Sequence, residues 1–337
     1  MGNSTPPPGS EDTVARATVS TASPGSASLE LPVQIGEYML VELLGEGAMG
    51  RVYRADQFDP VRREVAIKFL AAEQVDADLL ARFEAEGHAL ARMSHPCIAR
   101  IHGAGTSTSG HPYLVMEYVS GPTLLKYCDA HRLDLDARLH LFRGVCAALA
   151  HAHQKGIIHR DIKPSNILVT EQEGEATPKV IDFGLAKALE GHLADRNLET
   201  HVGTVLGTPA FMSPEQASLT GEEVDTRSDI YALGLVLYQM LTGALPFKRV
   251  GEQDSTIEQV LRAVREDDPM RPSARLVAGG SEQVPAGLDG SVVKALREDL
   301  DWIILKCLAK RPEDRYQSAN DLIADLERYQ RHQPVQA

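Results

Sequence analysis

Three oxygen-bearing side chains carry the first chemical signal. Asp161 and Asn166 lie five residues apart in His159-Arg160-Asp161-Ile162-Lys163-Pro164-Ser165-Asn166, and Asp182 follows sixteen residues after Asn166. Pro164 and the density of polar residues make the first segment a loop rather than a plain helix or strand. An Asp and an Asn in a loop are ordinarily turn formers, since both side chains bond their own backbone. Here a lysine, Lys163, stands between them, and Asp182 comes directly after the apolar pair Val180-Ile181. Oxygens placed at the ends of short elements can hold a metal-bound polyphosphate and orient a hydroxyl beside it. They are hard ligands, suited to a hard divalent cation. The widely scattered Cys97, Cys128, Cys146 and Cys307 form no ligand spacing for zinc.

Such a constellation needs elements to position it. Leu, Val and Ala recur at helical spacing from Leu139 to Gln154, so a helix leads into the loop. Upstream, the run from Tyr38 predicts a strand. Gly45-Glu46-Gly47-Ala48-Met49-Gly50 follows it, and Val52 to Ala55 predicts a second strand. A dinucleotide site requires a helix after its GxGxxG glycines. A strand follows here, so the pattern is a hairpin whose loop N–H groups can cover phosphates. Glu64 to Leu70 is a short apolar strand around one lysine, Lys68. That lysine either faces solvent at a sheet edge or holds phosphates, in which case a carboxylate must fix it. In the helix predicted over Leu79 to Met93, Phe83, Glu86 and Leu90 share one face. Glu86 is therefore the inward carboxylate and Glu84 the outward one. Gly87 weakens this helix locally. Ile98, Ile101 and Pro112 to Met116 suggest two further strands, and a short helix is expected from Leu124 to Ala130.

The order of these elements resembles the protein kinases, most closely the bacterial, eukaryotic-like (Hanks-type) Ser/Thr kinases, over about residues 36 to 330. The Gly-rich hairpin with Val52, the Val65-Ala66-Ile67-Lys68 strand, the His159 to Asn166 loop, Asp182-Phe183-Gly184 and Gly207 to Glu215 carry the likeness. It implies an α+β bilobal fold: a small antiparallel β-rich N-lobe (36–117) with one key helix, a hinge (117–121) and a larger helical C-lobe (122–330). It implies a transferase of signal transduction that moves the γ-phosphoryl group of ATP to Ser/Thr hydroxyls of protein substrates, with Mg2+ or Mn2+. Asp161 then stands at the catalytic-base position. Lys163 neutralises charge on the transferred group, Lys68 paired with Glu86 holds phosphates, and Asn166 and Asp182 hold the metal. The nucleotide is expected against Leu44, Gly45, Glu46, Gly47, Gly50, Val52, Ala66, Met116, Glu117, Val119 and Leu168. In this scheme Met116 is the gatekeeper, and adenine bonds the backbone at Glu117 and Val119.

The resemblance extends to supporting residues. Leu90, His159 and Phe183 form a hydrophobic stack. Asp229 ties down the catalytic-loop backbone. Glu215 pairs with Arg315, because a buried carboxylate needs a cation. Leu185 to Ser213 is the activation loop, with Thr208 expected near Asp161 and Lys163. Arg160 before Asp161 points to a phosphorylated loop, with Thr200 and Thr204 as acceptors in an autophosphorylation that a transient homodimer would serve. Three rivals fail on particular residues. A pseudokinase would lack one of Lys68, Asp161, Asn166 or Asp182, a small-molecule kinase would lack the Gly207–Glu215 peptide platform, and an oxidoreductase would have a helix after Gly50.

Composition bounds the remainder. The 337 residues carry a formal charge of −13, so nucleic acid is a poor default partner. No run of about 20 apolar residues is present to span a bilayer, Pro6 argues against lipidation at Gly2, and the four isolated cysteines suit a reducing cytoplasm. Residues 1–35, rich in Ser, Thr, Pro and Gly, are expected to be a disordered tail, and 331–337 a C-terminal tail. The span Asp268 to Ser291 is Gly/Pro-rich and expected to be irregular. Leu300 to Cys307 and Ser318 to Tyr329 are expected to be the closing helices.

Overall fold

The computed structural model describes residues 31–47, 50–70, 83, 87, 89–108, 110–183, 209–218, 224–247, 256–280 and 284–337. Among the described residues up to Glu117, the strands form one antiparallel sheet. Its strands are β1 (Val33–Ile35), β2 (Tyr38–Gly47), β3 (Gly50–Gln57), β4 (Arg63–Leu70), β5 (Ile101–Thr106) and β6 (Pro112–Glu117), in the order β1-β2-β3-β4-β6-β5. Leu40, Tyr53, Val65, Ile67, Phe69 and Val115 bury one face of it, and Ala66, Leu70, Leu114 and Met116 bury the other against Phe83. Both faces are covered, so the central β4 is apolar almost throughout, and a lysine within it is conspicuous. Val33 to Ile35, assigned above to the disordered tail, pair with Leu40 to Tyr38 as an edge strand. Their alternation is too short to register until a partner strand supplies the hydrogen bonds.

Beyond Gly121 the chain is helical. Helix α1 is Leu124–Ala130 and α2 is Leu135–Gln154; the latter starts one turn earlier than expected because Asp134 caps it by accepting from the Ala137 N–H at 2.9 Å. The hairpin β7 (Ile167–Gln172) and β8 (Glu175–Val180) follows the catalytic-type loop. Then come α3 (Pro214–Ala217), α4 (Thr226–Thr242), α5 (Ile257–Glu266), α6 (Pro272–Gly279), α7 (Ser291–Ala295), α8 (Asp301–Cys307) and α9 (Ala319–Gln330). Helix α4 is buried nearly all round, from Ser228 to Leu241, and forms the axis of the lobe's core. Helix α6 corrects the expectation of an irregular span. Pro272 is its first-turn residue, where a missing N–H costs nothing, and Leu276 is buried. Among the described residues no helix is long and apolar enough to cross a membrane. The architecture is the bilobal α+β one that the sequence implied.

Candidate active site

The loop after α2 is held from beneath. Asp229, 1% exposed on α4, accepts from the His159 N–H at 2.9 Å, from the Arg160 N–H at 2.8 Å and from His153 Nε2 at 2.7 Å. Burial pushes its carboxyl upward, but hydrogen bonding and charge from His153, with the His159 N–H, outweigh this and leave it lowered. The anchor pins a strained backbone, since Arg160 has φ 67°. Asp229 thus acts as the acceptor expected of it. His153 is an addition that sequence reasoning missed.

His159 joins this loop to the next element. Its Nδ1 accepts from the Asp161 N–H at 3.2 Å, so Nε2 carries the proton and donates to Ile181 O at 3.0 Å. Its ring lies 4.6 Å from that of Phe183, and Leu90 is buried in the same cluster as Phe183. Asp161 is gripped by its neighbours. Lys163 Nζ donates to its two oxygens at 2.8 and 3.1 Å, while Asn166 Nδ2 donates to Asp161 O at 2.8 Å and to Oδ2 at 3.0 Å. The Asn166 amide nitrogen is thereby committed, leaving its carbonyl oxygen as the group able to ligate a cation. Asp182, at φ 64°, extends its carboxylate from the end of β8 toward the sheet, where Lys68 Nζ meets Oδ2 at 3.0 Å. Lys68 is thus a buried lysine with a carboxylate partner, as its strand required. That partner is Asp182; Glu86 and Glu84 lie outside the described residues. The donor set of Asn166 and Asp182, all oxygen, fits a hard divalent cation.

The slot beside these groups is lined from both lobes. β2 ends at Gly47 and β3 begins at Gly50, with Glu46 opposite Arg51 and joined to it at 2.9 Å. Val52 packs with Ala66 and Met116, and Met116 pairs directly with Ala66 across β4 and β6. Leu168 on β7 bridges Thr123 below the hinge, and Val119 is buried. Gly121 is required where it stands. A Cβ there would lie 2.0 Å from Val169 O, so only glycine lets the hinge pass β7. Gly87, which weakens its helix, also has a steric reason, because a Cβ would come within 3.3 Å of Ala104 Cβ.

Glu117 does more than offer its backbone. Its carboxylate takes Lys179 Nζ at 2.8 and 3.1 Å and the Arg100 N–H at 3.0 Å, while its own N–H donates to Arg100 O at 2.7 Å. The hinge is thereby tied to β8, three residues before Asp182. Lys179 was missed in the sequence, although it carries the same signal as Lys68: a cation inside a strand with an apolar neighbour.

On the far side of the loop, Ser213 caps α3 reciprocally with Gln216, and Gln216 Nε2 donates to Arg160 O at 2.8 Å. Glu215 is held by both Arg315 nitrogens at 2.8 Å and by Ser228 Oγ. Burial raises its pKa, but the Arg315 hydrogen bonds and charge, then Ser228, prevail and lower it. The expected Glu215–Arg315 pair is present. Gly184, Thr200, Thr204 and Thr208 lie outside the described residues.

With this geometry in place, comparison with known proteins gives a consistent result. The family model described as "Protein kinase domain" matches residues 38–325. A serine/threonine-protein kinase of Mycobacterium leprae, PknB, is 39% identical over 89% of this chain, which spans 44% of that relative. Pkn1 of Myxococcus xanthus, also a serine/threonine-protein kinase, is 38% identical over 85% of the chain, which spans 37% of it. Among solved structures, the PknI kinase domain of Mycobacterium tuberculosis superposes with a TM-score of 0.64 at 26% identity, covering 90% of this chain and 99% of that one. The chain belongs to the protein kinase family. Its similarity is to bacterial serine/threonine members, and it spans less than half the length of these two curated relatives.

Proposed function

We propose that the chain is an ATP- and Mg2+-dependent serine/threonine protein kinase, acting on protein substrates and on its own activation loop. The observation that carries this is the joint fixing of two groups: Asp161 by Lys163 and Asn166, and Asp182 by Lys68 across the slot. Asp161 orients the attacking hydroxyl and takes its proton, once Lys163, whose ammonium bonds both of its oxygens, turns to the transferred phosphoryl. Lys68 holds the inner phosphates. Leu44, Gly45, Glu46, Gly47 and Gly50 cover the phosphates. Val52, Ala66 and Leu168 enclose the adenine, and Glu117 and Val119 offer their backbones to it beside Met116. Asn166 and Asp182 would hold Mg2+, with Mn2+ able to replace it. When bound, the metal neutralises charge on the phosphates.

Thr200 and Thr204 are the proposed acceptors in the loop, supported by Arg160 beside Asp161, and Glu86 is a second partner for Lys68. A transient homodimer would serve autophosphorylation. The four free, buried cysteines support a cytoplasmic setting. The proposed domain, expected over 36–330, takes in the edge strand from Val33 as well. Incubation with radiolabelled ATP, Mg2+ and a generic protein substrate, followed by identification of the labelled amino acids, tests the reading. It predicts phosphoserine and phosphothreonine, strictly dependent on a divalent cation. Phosphotyrosine alone, or no transfer to protein, would overturn it.

A further inference from the structure

Within residues 331–337, expected only to be a tail, Gln333, Val335 and Gln336 are held by the helical lobe. Gln333 N–H donates to Arg328 O at 2.8 Å, and Val335 packs against the core of the helical lobe. The main chain of Gln336 is then gripped from both sides. Its N–H lies 2.9 and 3.0 Å from the two oxygens of Asp325, and its carbonyl accepts from Lys306 Nζ at 2.6 Å. Asp325 is 0% exposed on α9, and it also accepts from Tyr316 OH at 2.8 Å and Arg328 Nη1 at 2.6 Å. Lys306, from α8, lies 4.7 Å over the ring of Tyr316. A fully buried carboxylate aimed at a main-chain N–H, with an ammonium set for the carbonyl of the same residue, is the chemistry of peptide capture.

We propose that Lys306, Tyr316, Asp325 and Arg328 form a peptide-binding site for an extended Pro-Val-Xaa segment, filled in this chain by its own Pro334-Val335-Gln336. Selectivity comes from two features. Pro334 presets an extended backbone and has no N–H to leave unpaired, and Val335 is the side chain that enters the apolar contact. The third residue is read through its main chain, whatever its side chain. The link from α9 is three residues, Arg331 to Gln333, so the local concentration of the chain's own segment far exceeds that of a second copy. The strap joins α8 to α9, and α9 in turn bonds α2 through Glu327 and Gln330 to Arg143.

The test uses the full chain and its Val335→Asp variant, read by thermal midpoint and by hydrogen exchange at the Gln336 amide. In the parent that amide exchanges at least about a hundredfold more slowly than in a free peptide. Val335→Asp abolishes the protection and lowers the midpoint by about 2–4 °C. Adding the peptide Gln-Pro-Val-Gln-Ala at millimolar concentration to the variant restores the midpoint, and a scrambled peptide does not. Unprotected Gln336 in the parent, an unchanged midpoint in the variant, or equal effects of both peptides would each overturn the proposal.

Discussion

At the scale of single residues, the site depends on buried charges that each have a partner. Glu215 illustrates the consequence. Its exposure is 4% and its cation, Arg315, is 2% exposed. Breaking such a pair leaves an uncompensated charge, which costs about 3–5 kcal/mol. Arg315→Met is therefore expected to lower unfolding free energy by that order in a denaturant titration, whereas Arg311→Met, at an exposed pair with Glu313, is expected to leave it nearly unchanged. The pH dependence follows from the lowered pKa of Glu215. As pH falls, the unfolded chain takes up this proton first. The stabilisation is thus complete above the ordinary value of 4.5 and is lost as pH falls from there through the lower folded value. Arg315→Met removes that acid-side loss, because its Glu215 gains nothing from ionising. Stability measured between neutrality and acid, in parent and variant, distinguishes the two.

At the scale of elements, the hinge and the β7–β8 hairpin are bound as one piece. Lys179 and Glu117 lie 62 residues apart in the chain, yet their ion pair joins the strand entering the hinge to the strand that presents Asp182. Both side chains are largely shielded, at 13% and 29% exposure, so the pair is worth about 1 kcal/mol. Lys179→Met is expected to raise KM for ATP about fivefold, with kcat changed less than twofold, because the adenine seat loosens while Asp161 and Lys163 keep their geometry. A larger fall in kcat than in 1/KM would show that the link positions Asp182 rather than the adenine seat. A second constraint at this scale is backbone proximity. Gly121 clears Val169 O, and this contact fixes how closely the hinge can pass the hairpin.

At the scale of the whole molecule, what could be read from the sequence was what spacing along one element or one loop determines. Asp161, Lys163 and Asn166 fall within six residues, and the glycines at 45, 47 and 50 sit where β2 gives way to β3, so their chemistry is local. Asp229 and the Glu215–Arg315 pair were reachable through the family likeness. The structure adds what depends on distant partners. Asp182 meets Lys68 from the other lobe, His153 shares Asp229, Lys179 reaches the hinge, and Val33 to Ile35 become a strand only against β2. Helix α6 was hidden because Pro272 and Gly279-Gly280 bracket it closely, so its ends outweighed its short apolar face. The central proposal is that Asp161 is the group on which phosphoryl transfer to a hydroxyl depends. The direct measurement is incorporation of label from ATP into the protein and into a generic substrate, by the parent and by Asp161→Asn at matched folded concentration. Loss of about 10²–10⁴-fold in rate, with an unchanged circular dichroism spectrum and thermal midpoint, is the predicted result. Undiminished labelling by Asp161→Asn would contradict the account.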